Sequence, residues 1–401
     1  MSSDLPEYPF PQPTALEPPP EWAELRAKCP VAEVRLASGD PALVLTRYQD
    51  VRQVLSDPRF TRQLDADGAA RVTANESGGV FGAEQSDLPA AGDGHQRWRR
   101  LVGRYFTAKR MAAMQPRIAA MADQLVDGMV AGGGPADLVS AYAFPLPVWV
   151  ICDLLGVPDS DRNRFSYWSD TMLSLSRYKQ DEIDAAMLEF GEFLWAHIEA
   201  KRANPGDDLI SDLTAVADAD DGQLSQLELI GTAQGLLIAG HETTANMIGK
   251  MVAMLLAERS RWEELLAEPA LVRTAVEEAL RFDANPGFGM PRYLTAEIEV
   301  AGTTLPAGTT VVNSMAAANR DEKAFENAAE MDLRRVPNAH LSFGAGPHSC
   351  IGQALARTEL QTALTVLLNR LPELRLAVPV EELPRREGLL IGGLDQVMVR
   401  W

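Results

Sequence analysis

His340-Leu341-Ser342-Phe343-Gly344-Ala345-Gly346-Pro347-His348-Ser349-Cys350-Ile351-Gly352-Gln353-Ala354-Leu355-Ala356-Arg357 is the stretch on which the reading of this chain turns. Two glycines and a proline within four positions describe a tight, shaped loop. Cys350 stands at its end, just before a helix through Ala354, Leu355 and Ala356. A sulfur at a helix N-terminus is favoured as thiolate by the helix dipole and by the unpaired backbone N–H groups. The same groups can tune a metal–sulfur bond. Glycines at 344, 346 and 352 let the backbone approach a flat ring closely. A buried, inert thiol is the ordinary fate of a cysteine. Cys29 and Cys152 lack these surroundings and keep that reading.

Further out, the chain reads as mainly α with a small β region. Helical spacing of apolar residues covers 110–132, 183–202, 229–258, 260–283 and 351–371. Short strand-like runs lie at Val31–Leu36 and Leu43–Thr46, around a Ser38-Gly39-Asp40-Pro41 turn, and at Ile298–Val300 and Val311–Val312. Leu389–Gly393 and Val397–Val399 are expected to form a terminal hairpin. Seven prolines between Pro6 and Pro20 exclude a long helix there. Residues 1–20 are therefore expected as an extended surface arm, and 21–401 as one domain. Residues 61–94 carry little pattern, and a loop so long is usually functional or mobile.

The 401 residues carry 37 Lys and Arg against 56 Asp and Glu, a formal charge of −19. Such a balance disfavours a nucleic-acid partner and docking on anionic lipid. Three widely spaced cysteines form neither a disulfide framework nor a zinc site, and fit a reducing compartment. The N-terminus shows neither the basic region nor the apolar run of a signal peptide, so a cytoplasmic location is expected. The apolar run 229–258 is interrupted by Gln234, His241, Glu242, Asn246 and Lys250. It reads as a helix buried in a globular core, not as a membrane span.

Inside that helix, Ala239-Gly240-His241-Glu242-Thr243-Thr244 makes a polar break. Small residues permit close approach of a ligand, threonines can bond a backbone carbonyl and bend the helix, and Glu242 brings a titratable carboxyl into the core. A kinked helix with a satisfied polar cluster is the bland alternative. Glu278-Ala279-Leu280-Arg281 places an acid and an arginine on one helix face, which taken alone is a surface pair worth little. His95 and Arg99 share a helix face. Between Arg97 and Arg110 the chain is locally basic (Arg97, Arg99, Arg100, Arg104, Lys109, Arg110), with no acid. That is either a solvated face or a surface that steers an acidic partner.

The pattern Phe343-Gly344-x-Gly346-x-His348-x-Cys350-x-Gly352 resembles the haem-binding signature of the cytochrome P450 superfamily, in its soluble, ferredoxin-dependent bacterial class. The resemblance runs from about residue 20 to Trp401. It implies the P450 fold, with haem b (iron protoporphyrin IX) between a long central helix and the Cys loop, and Cys350 as the iron ligand. It implies Glu242 and Thr243 as the acid–alcohol pair that delivers protons, and His95, Arg99, Arg292 and His348 as propionate ligands, with Phe343 and Gly344 against the haem. Glu278, Arg281 and Arg335 become a structural triad. Met331 departs from the aromatic residue usual before Asp332, and Ala91-Gly92-Asp93-Gly94 replaces the usual acidic, proline-containing turn.

The same resemblance places substrate against Val80, Phe81, Met172, Leu173, Leu237, Ala239, Asn285, Phe288, Met290, Leu390 and Ile391, with Gln234 a further polar option. That set suits a medium-sized, mostly apolar or aromatic secondary metabolite. Phe288, between Gly287 and Gly289, would suit stacking on an aromatic one. Electrons would come from NAD(P)H through a ferredoxin reductase and an acidic ferredoxin docking on Arg97, Arg100, Arg104, Lys109 and Arg110. A monomer is expected. Oxidative coupling of an aromatic cyclic dipeptide, without oxygen insertion, is an alternative outcome. A non-catalytic haem sensor is the alternative of another class, and it predicts neither relay nor docking face.

Overall fold

The computed structural model describes residues 5–62, 64, 66–72, 92–173, 178–215, 224–284, 287–386 and 392–401. They fall into two compact units, each discontinuous in sequence.

The first unit comprises 1–83, 250–350 and 375–397. Its centre is a five-stranded sheet in the order Val31–Arg35, Pro41–Leu45, Thr310–Asn313, Met290–Leu294, Phe60–Thr61. The first pair is a hairpin closed by Gly39 at φ +87°, a conformation that glycine adopts without strain. Pro41–Leu45 then runs parallel to Thr310–Asn313, and the remaining pairs are antiparallel. Side chains alternate between two buried faces. Val34, Ala42, Val44 and Val312 meet Trp22 on one side, while Leu45, Val311, Leu294 and Phe60 meet Tyr48, Val51 and Phe325 on the other.

The proline-rich arm is extended, but it does more than lie on the surface. Tyr8 N–H donates to Arg35 O and Arg35 N–H to Pro6 O, both at 2.9 Å. Tyr8 and Phe10 are thereby held in the sheet's first core, edge-on to each other with centroids 5.3 Å apart. Burying two aromatic side chains offsets part of the cost of ordering the arm.

Three expectations change for physical reasons. The pattern over 260–283 splits into Arg259–Ala267 and Val272–Phe282, because Pro269 cannot donate a helix-interior hydrogen bond. In the second unit, 110–132 splits in the same way into Ala108–Ala113 and Gln115–Gly132, with Pro116 in the new first turn. The terminal hairpin does not form. Gly393–Leu394 pairs with Arg385–Arg386, and Met398–Arg400 pairs with Ala136–Asp137.

A buried charge cluster fixes the irregular segment 319–338 in the first unit. Glu278 and Arg281 have no exposed surface. Arg281 donates to both Glu278 oxygens at 2.7 and 2.8 Å, and to the carbonyls of Asn319, Ala328 and Glu330. Arg335 Nε, Asn338 Nδ2 and Asp332 N–H also donate to Glu278. Removing the acid would leave two guanidiniums without their shared counter-charge. Glu278→Ala is therefore expected to cost about 3–5 kcal/mol or prevent folding, read by chemical denaturation, whereas a loss below about 1 kcal/mol would mean the cluster is dispensable.

The second unit comprises 84–249, 351–374 and 398–401. Helix Gln353–Arg370 packs on Gln115–Gly132, tied by Tyr142 Oη donating to Ala363 O at 2.9 Å and by Arg370 to Asp123 at 2.8 Å. Phe165, Trp168 and Phe190 form an aromatic core between Arg162–Leu173 and Gln180–Ala203, with Trp168 stacked on Phe190 at 4.9 Å. No helix among the described residues is long and apolar enough to cross a membrane.

One carboxyl in this unit stands apart. Glu359 is 2% exposed, its Oε2 has no hydrogen-bond partner, and burial pushes its pKa well above the ordinary 4.5. It is held protonated in the fold and ionises once the chain unfolds. The unfolded state then binds fewer protons, so stability falls as pH rises above about 4.5, by up to about 1.4 kcal/mol per pH unit until Glu359 ionises in the fold. Glu359→Gln is expected to remove that slope. Urea midpoints of the two proteins should converge near pH 4 and separate toward pH 8, and a pH-independent difference would refute the assignment.

Candidate active site

The Cys350 loop is built by short-range hydrogen bonds. Gly344 N–H donates to Leu341 O, Ser349 N–H to Gly346 O, and Cys350 N–H back to Phe343 O at 2.8 Å, closing the loop on itself. Cys350's own N–H is thus committed to a carbonyl. Helix Gln353–Arg370 begins three residues further on, with Gly352 as its N-cap.

Gly344 and Gly346 have φ of +69° and +70°. At Gly346 the constraint is double. A Cβ there would lie 2.7 Å from Leu55 O and 2.7 Å from Ser56 Cα, so the loop backbone rests directly on the end of helix Tyr48–Ser56. Asn319 anchors the approach, accepting from Leu341 N–H at 2.7 Å and donating to Ser342 Oγ at 2.9 Å.

The three cysteines differ sharply. Cys152 is completely buried, and exposed Cys29 directs its thiol to Val31 O. Cys350 is exposed at the end of its shaped loop, where a thiolate ligand needs to be. Phe343 is half-buried beside His340, with ring centroids 5.7 Å apart.

Of the expected carboxylate ligands in the first unit, His348 is half-buried in the 3-10 turn Gly346–His348. Arg292 is 3% exposed, and burial together with the charge of Arg62 pulls its pKa down to about 10. Among the described residues neither Arg292 nor Arg62 forms an ion pair with a carboxylate, so both cations fit an anionic group brought by a ligand, as a haem propionate would be. Arg62 was not singled out by sequence. Its signal is the pairing of Phe60–Thr61 with Met290–Leu294, which no local pattern reveals.

In the second unit, helix Gln226–Ala257 is buried almost continuously from Thr244 to Leu256. Ala239 and Thr243, one turn apart, are exposed, while Glu242 is 7% exposed. Thr243 Oγ1 donates to Ala239 O at 2.7 Å. This i−4 bond competes with the helix ladder and favours a local bend. The open face therefore presents a hydroxyl and a methyl, with a carboxyl in the adjacent core. Helix Gly92–Gly103 is fixed to the long helix by Trp98 Nε1 donating to Thr232 Oγ1 at 2.9 Å and by Arg97–Glu228 at 3.2 Å. His95, 7% exposed, stacks on Trp98, and Arg99 is half-buried one turn on.

The expected substrate contacts fare unevenly. Leu237 has no exposed surface and Phe288 only 8%. Phe288 packs edge-on against Tyr8 at 5.4 Å, and Tyr8 Oη donates to its carbonyl. The aromatic ring is held by the arm instead of projecting toward a ligand. Met290 is half-buried against the second sheet core. Val80, Phe81, Asn285, Leu390 and Ile391, and the side chains of Met172 and Leu173, lie outside the described residues.

Comparison with known proteins completes the site. The cytochrome P450 family profile matches residues 163–385. The chain is 42% identical to nocardicin C N-oxygenase of Nocardia uniformis subsp. tsuyamanensis, over 100% of this chain and 99% of that protein. It is 40% identical to mycinamicin IV hydroxylase/epoxidase of Micromonospora griseorubida, over 98% of both. Its structure is similar to the LnmA cytochrome P450 hydroxylase of the leinamycin biosynthetic pathway of Streptomyces atroolivaceus, with a TM-score of 0.90 and 39% identity over 99% of this chain and 100% of that one. The chain belongs to the cytochrome P450 family, and is a haem-dependent monooxygenase of the bacterial type that serves secondary metabolism.

Gly346→Ala tests how much of the site depends on its backbone. The methyl group meets backbone atoms and the φ is strained, so a loss of about 1–3 kcal/mol and a reduced haem content after purification are expected. Full haem occupancy with an unchanged melting temperature would show that the contact with Leu55 and Ser56 is not needed.

Proposed function

We propose that Cys350 is the thiolate ligand of the haem iron, and that Thr243 and Glu242 move protons during oxygen activation. The observation that carries this reading is Cys350 standing exposed at the end of a loop braced by its own backbone and by helix Tyr48–Ser56. When bound, haem would supply redox chemistry toward dioxygen, which a thiolate ligand would favour. His95, Arg99, Arg292 and His348 would hold its propionates by charge-assisted bonds, with Phe343 and Gly344 beside it. Thr243 Oγ1 can exchange its bond to Ala239 O for one to a ligand and pass a proton to it, and Glu242 resupplies that proton.

The substrate proposed is a medium-sized, mostly apolar secondary metabolite; the relatives act on nocardicin C and mycinamicin IV. Among the expected contacts, Ala239 presents exposed surface. Phe288 is packed in the sheet's first core against Tyr8, so stacking on an aromatic substrate is not part of this reading.

The electron donor proposed is an acidic ferredoxin-type protein, itself reduced by NAD(P)H through a reductase. Arg100, Arg104 and Lys109 are exposed and Arg97 and Arg110 half-buried, so the first three present the most surface to a partner.

Three measurements on one protein test the assignment. The reduced, carbon monoxide-bound spectrum should be of the thiolate type and be lost in Cys350→Ser. A histidine-type band in the parent would sink the reading. Thr243→Ala should still consume NAD(P)H but divert most of it to peroxide. Arg100→Glu with Arg104→Glu should cut ferredoxin-supported turnover about tenfold at low salt, and less at high salt. Unchanged turnover and salt dependence would remove the docking face.

A further inference from the structure

Strand Phe60–Thr61 lies antiparallel to Met290–Leu294, with Phe60 opposite Leu294 and Thr61 opposite Tyr293. Continued one residue past the strand's end, the same register would bring Arg62 opposite Arg292. Directly opposed residues share a face of the sheet, with Cβ atoms about 4.5–5.5 Å apart. Here the face is the one that carries Phe60 and Leu294 into the second core. The charge of Arg62 acts on Arg292, so the two guanidiniums are close neighbours.

Two like charges opposite each other destabilise a sheet, and a buried cation without a counter-ion is costlier still. Arg292 is 3% exposed, and the one acceptor recorded for its guanidinium is the carbonyl of Pro291, at 2.8 Å from Nη1. Arg62 keeps open surface, so an anion can reach the pair. Neither forms an ion pair among the described residues, in a chain with 56 acidic side chains against 37 basic ones. With acids in such surplus, the lack of a carboxylate partner among the described residues for buried Arg292 and its neighbour Arg62 leaves the counter-charge to a ligand.

We infer that Arg62 and Arg292 form a two-guanidinium clamp that receives one carboxylate, each arginine donating to one of its oxygens. This deepens the proposed function and rests on its assignment of Arg292 to a haem propionate. The new element is Arg62. Two planar donor forks on adjacent strands match the two lone-pair directions of a carboxylate, which a single lysine would not. The carboxylate is a haem propionate or an acid group of the substrate, and the chemistry at the arginines is the same for both.

The holoenzyme decides it, as wild type, Arg62→Gln and Arg62→Lys. For a propionate, Arg62→Gln should release haem to excess apomyoglobin at least fivefold faster. Its ferric/ferrous midpoint potential should fall, because a cation near the haem is lost. Arg62→Lys should restore the potential and only part of the retention, a ranking by charge that a merely structural role would not give. For a substrate acid, haem release and potential stay unchanged. The spin-state titration with 4-phenylbutyrate then weakens at least fivefold in Arg62→Gln, while that with 4-phenylbutyramide does not. If neither haem release nor the titration with 4-phenylbutyrate changes, the clamp is wrong. The carbon monoxide spectrum separates the two claims: a thiolate-type band with unchanged release and titrations rejects the clamp alone, whereas its absence from wild type rejects the haem-thiolate reading beneath it.

Discussion

The first unit depends on one carboxylate held in the absence of water. Glu278 has no exposed surface and accepts from two arginines, one asparagine and one backbone N–H. A buried charge is favourable only when its lone pairs are filled, and here they are. What the cluster organises is the long irregular run between Ala318 and the Cys350 loop. Arg281 clasps the carbonyls of Asn319, Ala328 and Glu330, and Arg335 clasps that of Glu326. Asn319 then orients Leu341 and Ser342, and Ser342 Oγ donates to Leu280 O. A continuous set of hydrogen bonds thus leads from Glu278 to the residues just before Phe343. The loop carrying Cys350 inherits its position from a charge pair that performs no chemistry.

Features encoded locally were legible in the sequence. The glycines of the Cys350 loop mark positive φ, and the polar break at 239–244 marks a change in helix environment, because both depend on neighbours within a few residues. Features that depend on partner choice were not. The runs near Gly393 and Met398 look like a hairpin, yet each finds a different strand. Glu278 and Arg281 read as a surface pair at i and i+3 unless the family resemblance is invoked. Phe288 between two glycines looks free to move, until Tyr8, 280 residues away, buries it.

Charge distribution shows the same division between local and assembled properties. The run Arg97–Arg110 is basic in sequence, but folding subtracts from it. Arg97 is half-buried against Glu228, and Arg110 lies over Tyr105 at 3.8 Å while pairing with Asp212. Those two contribute to anchoring helices within the second unit. What projects to solvent is Arg100, Arg104 and Lys109, a smaller and more concentrated patch on an acidic protein. A small cationic patch within a negative field is sharply localised, since the surrounding carboxylates screen it at longer range. For the proposed electron donor, such a patch would restrict the orientation of approach.

The long helix combines rigidity and openness by an asymmetry along its length. From Thr244 to Leu256 almost every residue is buried, so that half is a fixed strut. At Ala239 and Thr243 the packing opens, and the Thr243 hydroxyl occupies the carbonyl it would otherwise leave to the ladder. That bond costs the helix little because the strut beyond it holds the axis in place. It also keeps the hydroxyl in one rotamer, ready to trade one acceptor for another without moving the backbone. A serine would hold this rotamer less firmly, since the β-methyl of threonine restricts χ1. A threonine at 243 would thus give the proposed relay a hydroxyl that is both pre-positioned and exchangeable, on a helix otherwise tightly packed.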